Sequence, residues 1–270
     1  MATEIVSVSL RLDDRGPRDA DALLLIHGHP FNRSMWRPQL DVVAAEGWRV
    51  VVPDLRGYGD SRPAPDSFAF EDFATDLLRL LDALGIERFV VGGLSMGGQI
   101  AMEVCRKAPE RVRGLLLAAT FPQRESEQGK LRRNAMADRL LQEGMAGYAV
   151  EVLPKMVGAK CLRERPEIGE AVLEMMRSTD PRAAAAALRA RALRPAYEPV
   201  LARFARPATV VVGDQDAFTT QDDATTMASL LTDCDLRWMP GVGHMPNLER
   251  ADEFNAAILR LLERVQATAG

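Results

Sequence analysis

The stretch Val90-Val91-Gly92-Gly93-Leu94-Ser95-Met96-Gly97-Gly98 decides how the rest of the chain is read. Phe89 to Val91 are apolar and β-prone, which predicts a buried strand, and Gln99 to Lys107 carry a helical pattern. Ser95 stands between them in a G-x-S-x-G turn, with Gly93 and Gly97 two residues to either side. A turn that sharp leaves no room for side chains at those two places, so glycine is needed there. The serine backbone is expected to be strained, with its hydroxyl projecting past the sheet edge at the positive end of the following helix. The pentapeptide alone is short enough to recur as a plain strand-to-helix turn. Its setting and its partners further along give it meaning.

Outward from this turn, strands and helices alternate. Ile5 to Leu12 alternate polar and apolar residues, as an edge strand would, and Ala22 to Ile26 form a continuous apolar run that reads as a central strand. Trp48 to Val52, Val112 to Ala118, Ala208 to Gly213 and Asp235 to Met239 read as further strands. Helices are expected over Phe70 to Leu84, stopped by Gly85, and over Thr219 to Leu231 and Asn247 to Val265. Such alternation predicts an α/β fold with a doubly wound, mostly parallel sheet, whose chemistry lies beyond the carboxyl ends of its strands. The His27-Gly28-His29-Pro30 loop, the loop from Asp54 to Ser61, and Ser95 all fall at that edge.

From Thr120 to Arg206 the pattern changes. Strand signals vanish, and helical stretches run from Leu131 to Gln142, Tyr148 to Met156, Glu167 to Arg177 and Pro181 to Leu193, the last with the helix-favouring run Ala183 to Ala187. An insertion that leaves the sheet at a carboxyl-edge loop is poised to cover the site. The expected organisation is therefore a core of residues 1–119 and 207–270, with a helical cap of residues 120–206 inserted before the penultimate strand.

At 270 residues and 47% hydrophobic, the chain has enough apolar side chains for one such domain and its insertion. A formal net charge of -4 argues against nucleic acid as a partner. Cys105, Cys161 and Cys234 are scattered and odd in number, so they form neither a disulfide framework nor a metal-binding spacing. Met1 to Leu10 lack a basic lead and an apolar run, and Leu23 to Ile26 are too few to span a bilayer. A cytoplasmic protein without a membrane partner is the expectation.

A serine hydroxyl is a weak nucleophile and needs a base. Of the three histidines, His244 lies on the glycine-bounded loop Pro240 to Pro246 after the last strand, and it is the candidate base. His27 is read as bracing its loop, and Asp54 and Arg56 as holding the neighbouring one. The acid that orients the base is expected between serine and histidine, where Asp214 and Asp216 follow the penultimate strand. A tetrahedral intermediate needs two N–H donors. Met96 follows the serine, and His29 is the other candidate, since Pro30 has no N–H. One such donor is typically worth about 3 kcal/mol. Five methionines of the insertion (Met136, Met145, Met156, Met175 and Met176) are read mainly as packing between its helices. Arg132, Arg133, Arg163 and Arg165 are noted as able to meet a carboxylate-bearing substrate.

Taken in order, His27-Gly28-His29-Pro30, Asp54 to Ser61, Gly93 to Gly98, Gly213 to Asp216 and Gly243-His244 resemble the α/β-hydrolase superfamily over almost the whole chain. The resemblance implies the fold, a helical cap and a catalytic triad of Ser95, Asp216 and His244. It selects Asp216 as the acid and leaves Asp214 as a turn residue. It also implies a cis bond before Pro30. Ser-Met-Gly-Gly and the segment Asp82 to Arg88 are similar to the enol-lactonase, esterase and cofactor-free perhydrolase branch. Haloalkane dehalogenases and epoxide hydrolases carry aspartate where this chain has Ser95. The expected activity is hydrolysis of a small carboxylic ester or lactone without metal or organic cofactor. Perhydrolysis or carbon–carbon hydrolysis on the same triad is an alternative, as is a small-molecule receptor reusing the fold. The sequence leaves the oligomeric state open.

Overall fold

A computed structural model describes residues 9–63 and 65–268. Seven strands form one sheet: β1 (Leu12–Arg15), β2 (Ala22–Ile26), β3 (Arg49–Pro53), β4 (Phe89–Leu94), β5 (Val112–Ala118), β6 (Ala208–Gly213) and β7 (Cys234–Met239). Their spatial order is β1-β3-β2-β4-β5-β6-β7. Only β1 is antiparallel to its neighbour, and the other pairings are parallel. Helices α1 (Arg37–Ala45), α2 (Glu71–Ala83) and α3 (Met96–Lys107) lie in the first half. Between β5 and β6 run α4 (Glu127–Glu143), α5 (Met145–Met156), α6 (Ala159–Glu164), α7 (Pro166–Arg177), α8 (Pro181–Ala192) and α9 (Glu198–Leu201). The chain closes with α10 (Gln221–Leu230), α11 (Pro246–Glu249) and α12 (Ala251–Ala267).

The strands read as continuous apolar runs because both faces of the sheet are covered. Leu24, Ile26, Val91, Leu115 and Val210 turn to one face, where they pack with Phe73 and Leu77 of α2 and Ile100 of α3. Leu23, Leu25, Val90, Leu116 and Val211 turn to the other, against Leu40 and Val43 of α1 and Phe254, Ile258 and Leu261 of α12. That alternation is the period of a strand expressed twice. In the insertion α4 packs on α8 and α5 on α7. The run Ala183 to Ala187 is buried throughout, with Ala184 and Ala185 packed against Ala137 and Leu140 of α4 and Ala187 turned to the first face of the sheet core. Met156, Met175 and Met176 are core residues of the second face, and Met145 packs with Ala137 and Leu140. The insertion methionines therefore fill gaps between helices, as the sequence suggested.

Three local expectations shift. The expected edge strand over Ile5 to Leu12 starts at Leu12 instead, paired with Pro53, while residues 5–8 lie outside the described residues, as does most of Met1 to Leu10. The helix expected over Asn247 to Val265 is two helices, because Arg250 leaves helical geometry at φ -140° and ψ 60°. Short α6 and α9 were not foreseen, since one or two turns carry too few apolar positions to show a period. Among the described residues no helix is long and apolar enough to cross a membrane.

Candidate active site

Because six strands run parallel, their carboxyl ends open on one edge, and the candidate residues gather there. Ser95 joins β4 to α3 with φ 57° and ψ -115°, a positive φ that non-glycine residues seldom adopt. Its neighbours hold it there. Its N–H donates to the Ala118 carbonyl at 2.9 Å, and its carbonyl accepts the Thr120 hydroxyl at 2.7 Å. The glycines explain how the turn fits. A Cβ on Gly93 would run into the Gly97 carbonyl, and one on Gly97 into the Ile26 carbonyl at the end of β2. The close approach inferred from the pentapeptide is thus three-sided, with strand, helix and the neighbouring strand in mutual contact.

His244 and Asp216 meet directly. The Nδ1–H of His244 lies 2.9 Å from both carboxylate oxygens of Asp216, and both side chains are buried. Asp216 also accepts the N–H groups of Phe218 at 2.8 Å and Thr219 at 3.2 Å. Burial pushes this carboxyl up, but the imidazole and the two amides more than reverse it, so the group is held below the ordinary carboxylate range. Asp214 plays another part: it is exposed and accepts the Gly241 N–H at 2.7 Å, tying the β6 loop to the β7 loop. With Nδ1 bound to a carboxylate, the proton sits on Nδ1, and Nε2 is left as the basic nitrogen. Ser95 Oγ makes no hydrogen bond to it among the described residues. Catalytic hydrogen bonds are often long until substrate is bound.

The His244 loop is clamped from two sides. Its backbone N–H donates to the Met156 carbonyl at the end of α5, in the insertion. Glu249, buried in α11, accepts the N–H groups of Gly243 at 3.1 Å, Met245 at 3.2 Å and Gly158 at 2.9 Å. Burial raises this carboxyl, and the three amides only partly offset it. Nothing in the sequence singles out Glu249, because a glutamate one turn into a helix is usually solvent-facing.

The His27 loop lies against the serine. A Cβ on Gly28 would stand 3.4 Å from the Cβ of Ser95. The His29–Pro30 bond is cis. Neither the His29 N–H nor the Met96 N–H donates to an acceptor among the described residues, so two backbone donors beside Ser95 are free. His27 has no such freedom. Its Nε2 accepts the Leu55 N–H at 3.0 Å, so its Nδ1–H must donate to the Gly28 carbonyl at 2.8 Å. The imidazole welds the β2 loop to the β3 loop. Asp54 accepts the amides of Arg33 at 2.7 Å and Asp60 at 2.8 Å and pairs with the Arg33 guanidinium, while Arg56 pairs with Asp76 at 2.7 Å. These residues hold loops, as read from the sequence.

The His29 ring turns inward. Its Nδ1 shares a 2.7 Å hydrogen bond with the Tyr58 hydroxyl, and its Nε2 is buried without a partner. Burial, and then the charges of Arg191 and Arg133, hold it well below the ordinary histidine value. Of the four arginines noted in the sequence, Arg132, Arg163 and Arg165 are exposed, and only Arg133 is drawn inward. Arg191 of α8, buried and the first of the charges acting on His29, is one that sequence reasoning missed. The signal was present: Ala184, Ala187, Leu188 and Arg191 share one helical face, and the first three are apolar.

Comparison with known proteins agrees with this architecture. The family model described as the alpha/beta hydrolase family matches residues 23–257. A thermophilic esterase from Thermogutta terrifontis, solved with malate bound, superposes with a TM-score of 0.91 at 34% identity, over 95% of this chain and 93% of that one. The enol-lactonase from Burkholderia xenovorans LB400 gives a TM-score of 0.86 at 26% identity, over 94% and 96% of the two chains. The RutD protein of Variovorax paradoxus strain S110, named for carbamate hydrolysis, is 29% identical over 96% of this chain and 97% of its own length.

Proposed function

This chain belongs to the alpha/beta hydrolase family, and from that premise we propose that it cleaves a small carboxylic ester or lactone through an acyl-enzyme on Ser95. The observation that carries the proposal is the 2.9 Å pairing of His244 Nδ1 with both oxygens of Asp216, at the same sheet edge as a strained serine flanked by two free amides. Esterase and lactonase relatives match it over nearly their whole length. In this scheme His244 Nε2 takes the Ser95 proton as the hydroxyl attacks the carbonyl carbon. The His29 and Met96 amides receive the oxyanion. Asp216 holds the tautomer and steadies the imidazolium. His244 then gives its proton to the leaving alkoxide and activates a water that releases the acid. Residues 120–206 act as the cap over this site, and the work is done in the cytoplasm.

A serine in place of a carboxylate nucleophile sets the intermediate. Attack by Ser95 on a carbonyl yields an ester that water can reopen, whereas a serine ether formed from an alkyl halide or epoxide would be a dead end. Turnover of 4-nitrophenyl acetate by the wild type and Ser95→Ala tests the proposal. The variant is expected to lose at least about 10³-fold in kcat, and a phosphonate trap should add mass at Ser95 in the wild type alone. Equal turnover by both proteins overturns it.

A further inference from the structure

Three guanidinium groups (Arg133, Arg191 and Arg194) and one carboxylate (Glu125) cluster where α4 and α8 meet the site. Glu125 is already engaged by Arg133 and by Arg194 at 3.1 Å. Arg194 is further tied to the carbonyls of Gln123 at 2.7 Å and Arg191 at 3.1 Å, and it lies over the Phe121 ring. Arg191 has no carboxylate within ion-pairing distance among the described residues. Its one side-chain acceptor is Gln99 Oε1, 2.7 Å from Nε, and the residue is 8% exposed. A cation left this way in a protein interior is costly unless something neutralises it.

The groups around Arg191 are short of acceptors as well. Gln99 spends its oxygen on Arg191, and its Nε2 is buried with no partner. His29 Nε2 is likewise buried and unpartnered. The Tyr58 hydroxyl has no other acceptor among the described residues, so it donates to His29 Nδ1 and leaves the imidazole proton on Nε2. Gln99 follows Ser95 by one turn of α3, its N–H donating to the Ser95 carbonyl at 3.2 Å, and His29 carries one of the free amides. The terminal nitrogens of Arg191, the Gln99 NH₂ and the His29 Nε2–H thus have no acceptor among the described residues, and the Arg191–Gln99 hydrogen bond, the Gln99–Ser95 backbone bond and the reach of the Arg191 charge to His29 gather them near the nucleophile. Burial keeps the His29 ring neutral and the Tyr58 phenol un-ionised, and the charge of Arg191 adds to the first effect and opposes the second.

We infer that Arg191, Gln99 and the His29 ring form a carboxylate-recognition subsite, so that the substrate class is a monoester or lactone of a dicarboxylic acid whose free carboxylate lies a few bonds from the scissile carbonyl. A carboxylate accepts from a planar guanidinium through both oxygens and retains lone pairs for the amide and imidazole donors. This rests on the proposed acyl-enzyme chemistry for its catalytic part, whereas the binding part stands without it.

The test compares mono-4-nitrophenyl glutarate with its neutral isostere 4-nitrophenyl 5-methylhexanoate, in the wild type, Arg191→Met and Arg191→Lys. In parallel, calorimetry measures binding of glutarate and of glutaramide to Ser95→Ala with and without Arg191→Met. The wild type is expected to favour the charged ester at least about tenfold in kcat/KM. That ratio should collapse about tenfold or more in Arg191→Met and recover in part in Arg191→Lys, and glutarate but not glutaramide should bind in an Arg191-dependent way. Hydrolysis of both esters with a ratio unmoved by Arg191→Met, and no glutarate binding, overturns the subsite and leaves the serine mechanism standing. Failure to cleave either ester, with Arg191-dependent glutarate binding retained, supports the subsite and removes the esterase proposal instead. Arg191→Met takes away a buried unpaired charge and should fold, which circular dichroism checks, and Arg191→Lys keeps the comparison open if it does not.

Discussion

Two corners of the sheet edge each set a histidine near an aspartate, and they use the same two residue types in opposite ways. At the β2–β3 corner, His27 spends both ring nitrogens on backbone groups, and Asp54 spends its oxygens on Arg33 and Asp60. At the β6–β7 corner, His244 spends only Nδ1, and Asp216 spends its charge on that same imidazole. The first corner has no unused basic nitrogen and can only hold loops together. The second keeps one nitrogen basic and supplies a counter-charge for when it becomes protonated. Residue identity does not separate a brace from a candidate base, but the number of ring nitrogens left unbonded does.

Substituting both histidines tests that contrast most severely. His244→Gln is expected to lower kcat by about 10⁴-fold or more, since among the described residues no other histidine has a ring nitrogen free to take the Ser95 proton in the proposed scheme, with little change in Tm. His27→Asn should do the reverse. It leaves the Leu55 N–H buried without an acceptor, costing about 1–3 kcal/mol, which in a chain of this size lowers Tm by several degrees. Its kcat per folded molecule should stay within a few-fold. Loss of activity from His27→Asn matching that from His244→Gln, in a fully folded protein, would break the comparison.

The aspartates give the next largest effect. Asp216→Asn should cost about 10³–10⁴-fold in kcat by favouring the wrong tautomer of His244, read from steady-state kinetics at pH 7. Asp54→Asn should cost about 3 kcal/mol of stability instead, because it strips the Arg33 guanidinium and two amides of a buried counter-charge. Denaturant titration measures the second.

The histidines also sharpen the comparison through pH. Burial holds His27 and His29 below the value of an unfolded histidine, about 6.5. As pH falls below about 6.5, the unfolded chain takes up protons at these positions and the folded protein does not, so stability falls with falling pH. The slope is up to about 1.4 kcal/mol per pH unit for each histidine. Unfolding free energies at pH 7.0 and 5.5 should show this loss, and replacing one of the two by asparagine should remove about half of it. A flat profile across that window contradicts the buried, neutral state of both rings. The smallest effect is expected at Asp214, where substitution by alanine removes one amide contact at the surface. It should cost about 0.5–1.5 kcal/mol and leave kcat within twofold, unlike its neighbour two residues on.

Much of the fold was legible because parallel strands buried on both faces advertise themselves as unbroken apolar runs. Ala22–Ile26, Val112–Ala118 and Ala208–Gly213 are found where the sequence puts them. The amphipathic helix α2 was visible from Phe73, Leu77 and Leu81. Elements of one or two turns, such as α6 and α9, were not, because they carry too few apolar positions to show a period. The break at Arg250 was hidden for a related reason: the apolar period of Phe254, Ile258 and Leu261 starts just after it, the expected helix extends back to Asn247, and a single backbone kink leaves no compositional mark.

For the candidate site, the sequence by itself named the chemistry-bearing residues. Glycine at 93 and 97 marks a turn too tight for side chains, so Ser95 could be named once the strand before it, the helix after it and the partners further along were read, and loop positions after successive parallel strands must open on one edge. What the tertiary structure alone decided is which groups remain unsatisfied there. Glu249 clamps the His244 loop, and Arg191 sits buried while Arg189, two residues earlier on the same helix, is exposed and pairs with Asp138. The physical reason is that local backbone geometry is written in neighbouring residues, whereas burial and the balance of donors against acceptors depend on groups brought together from segments such as α3, α8 and the β2 loop, which lie far apart along the chain.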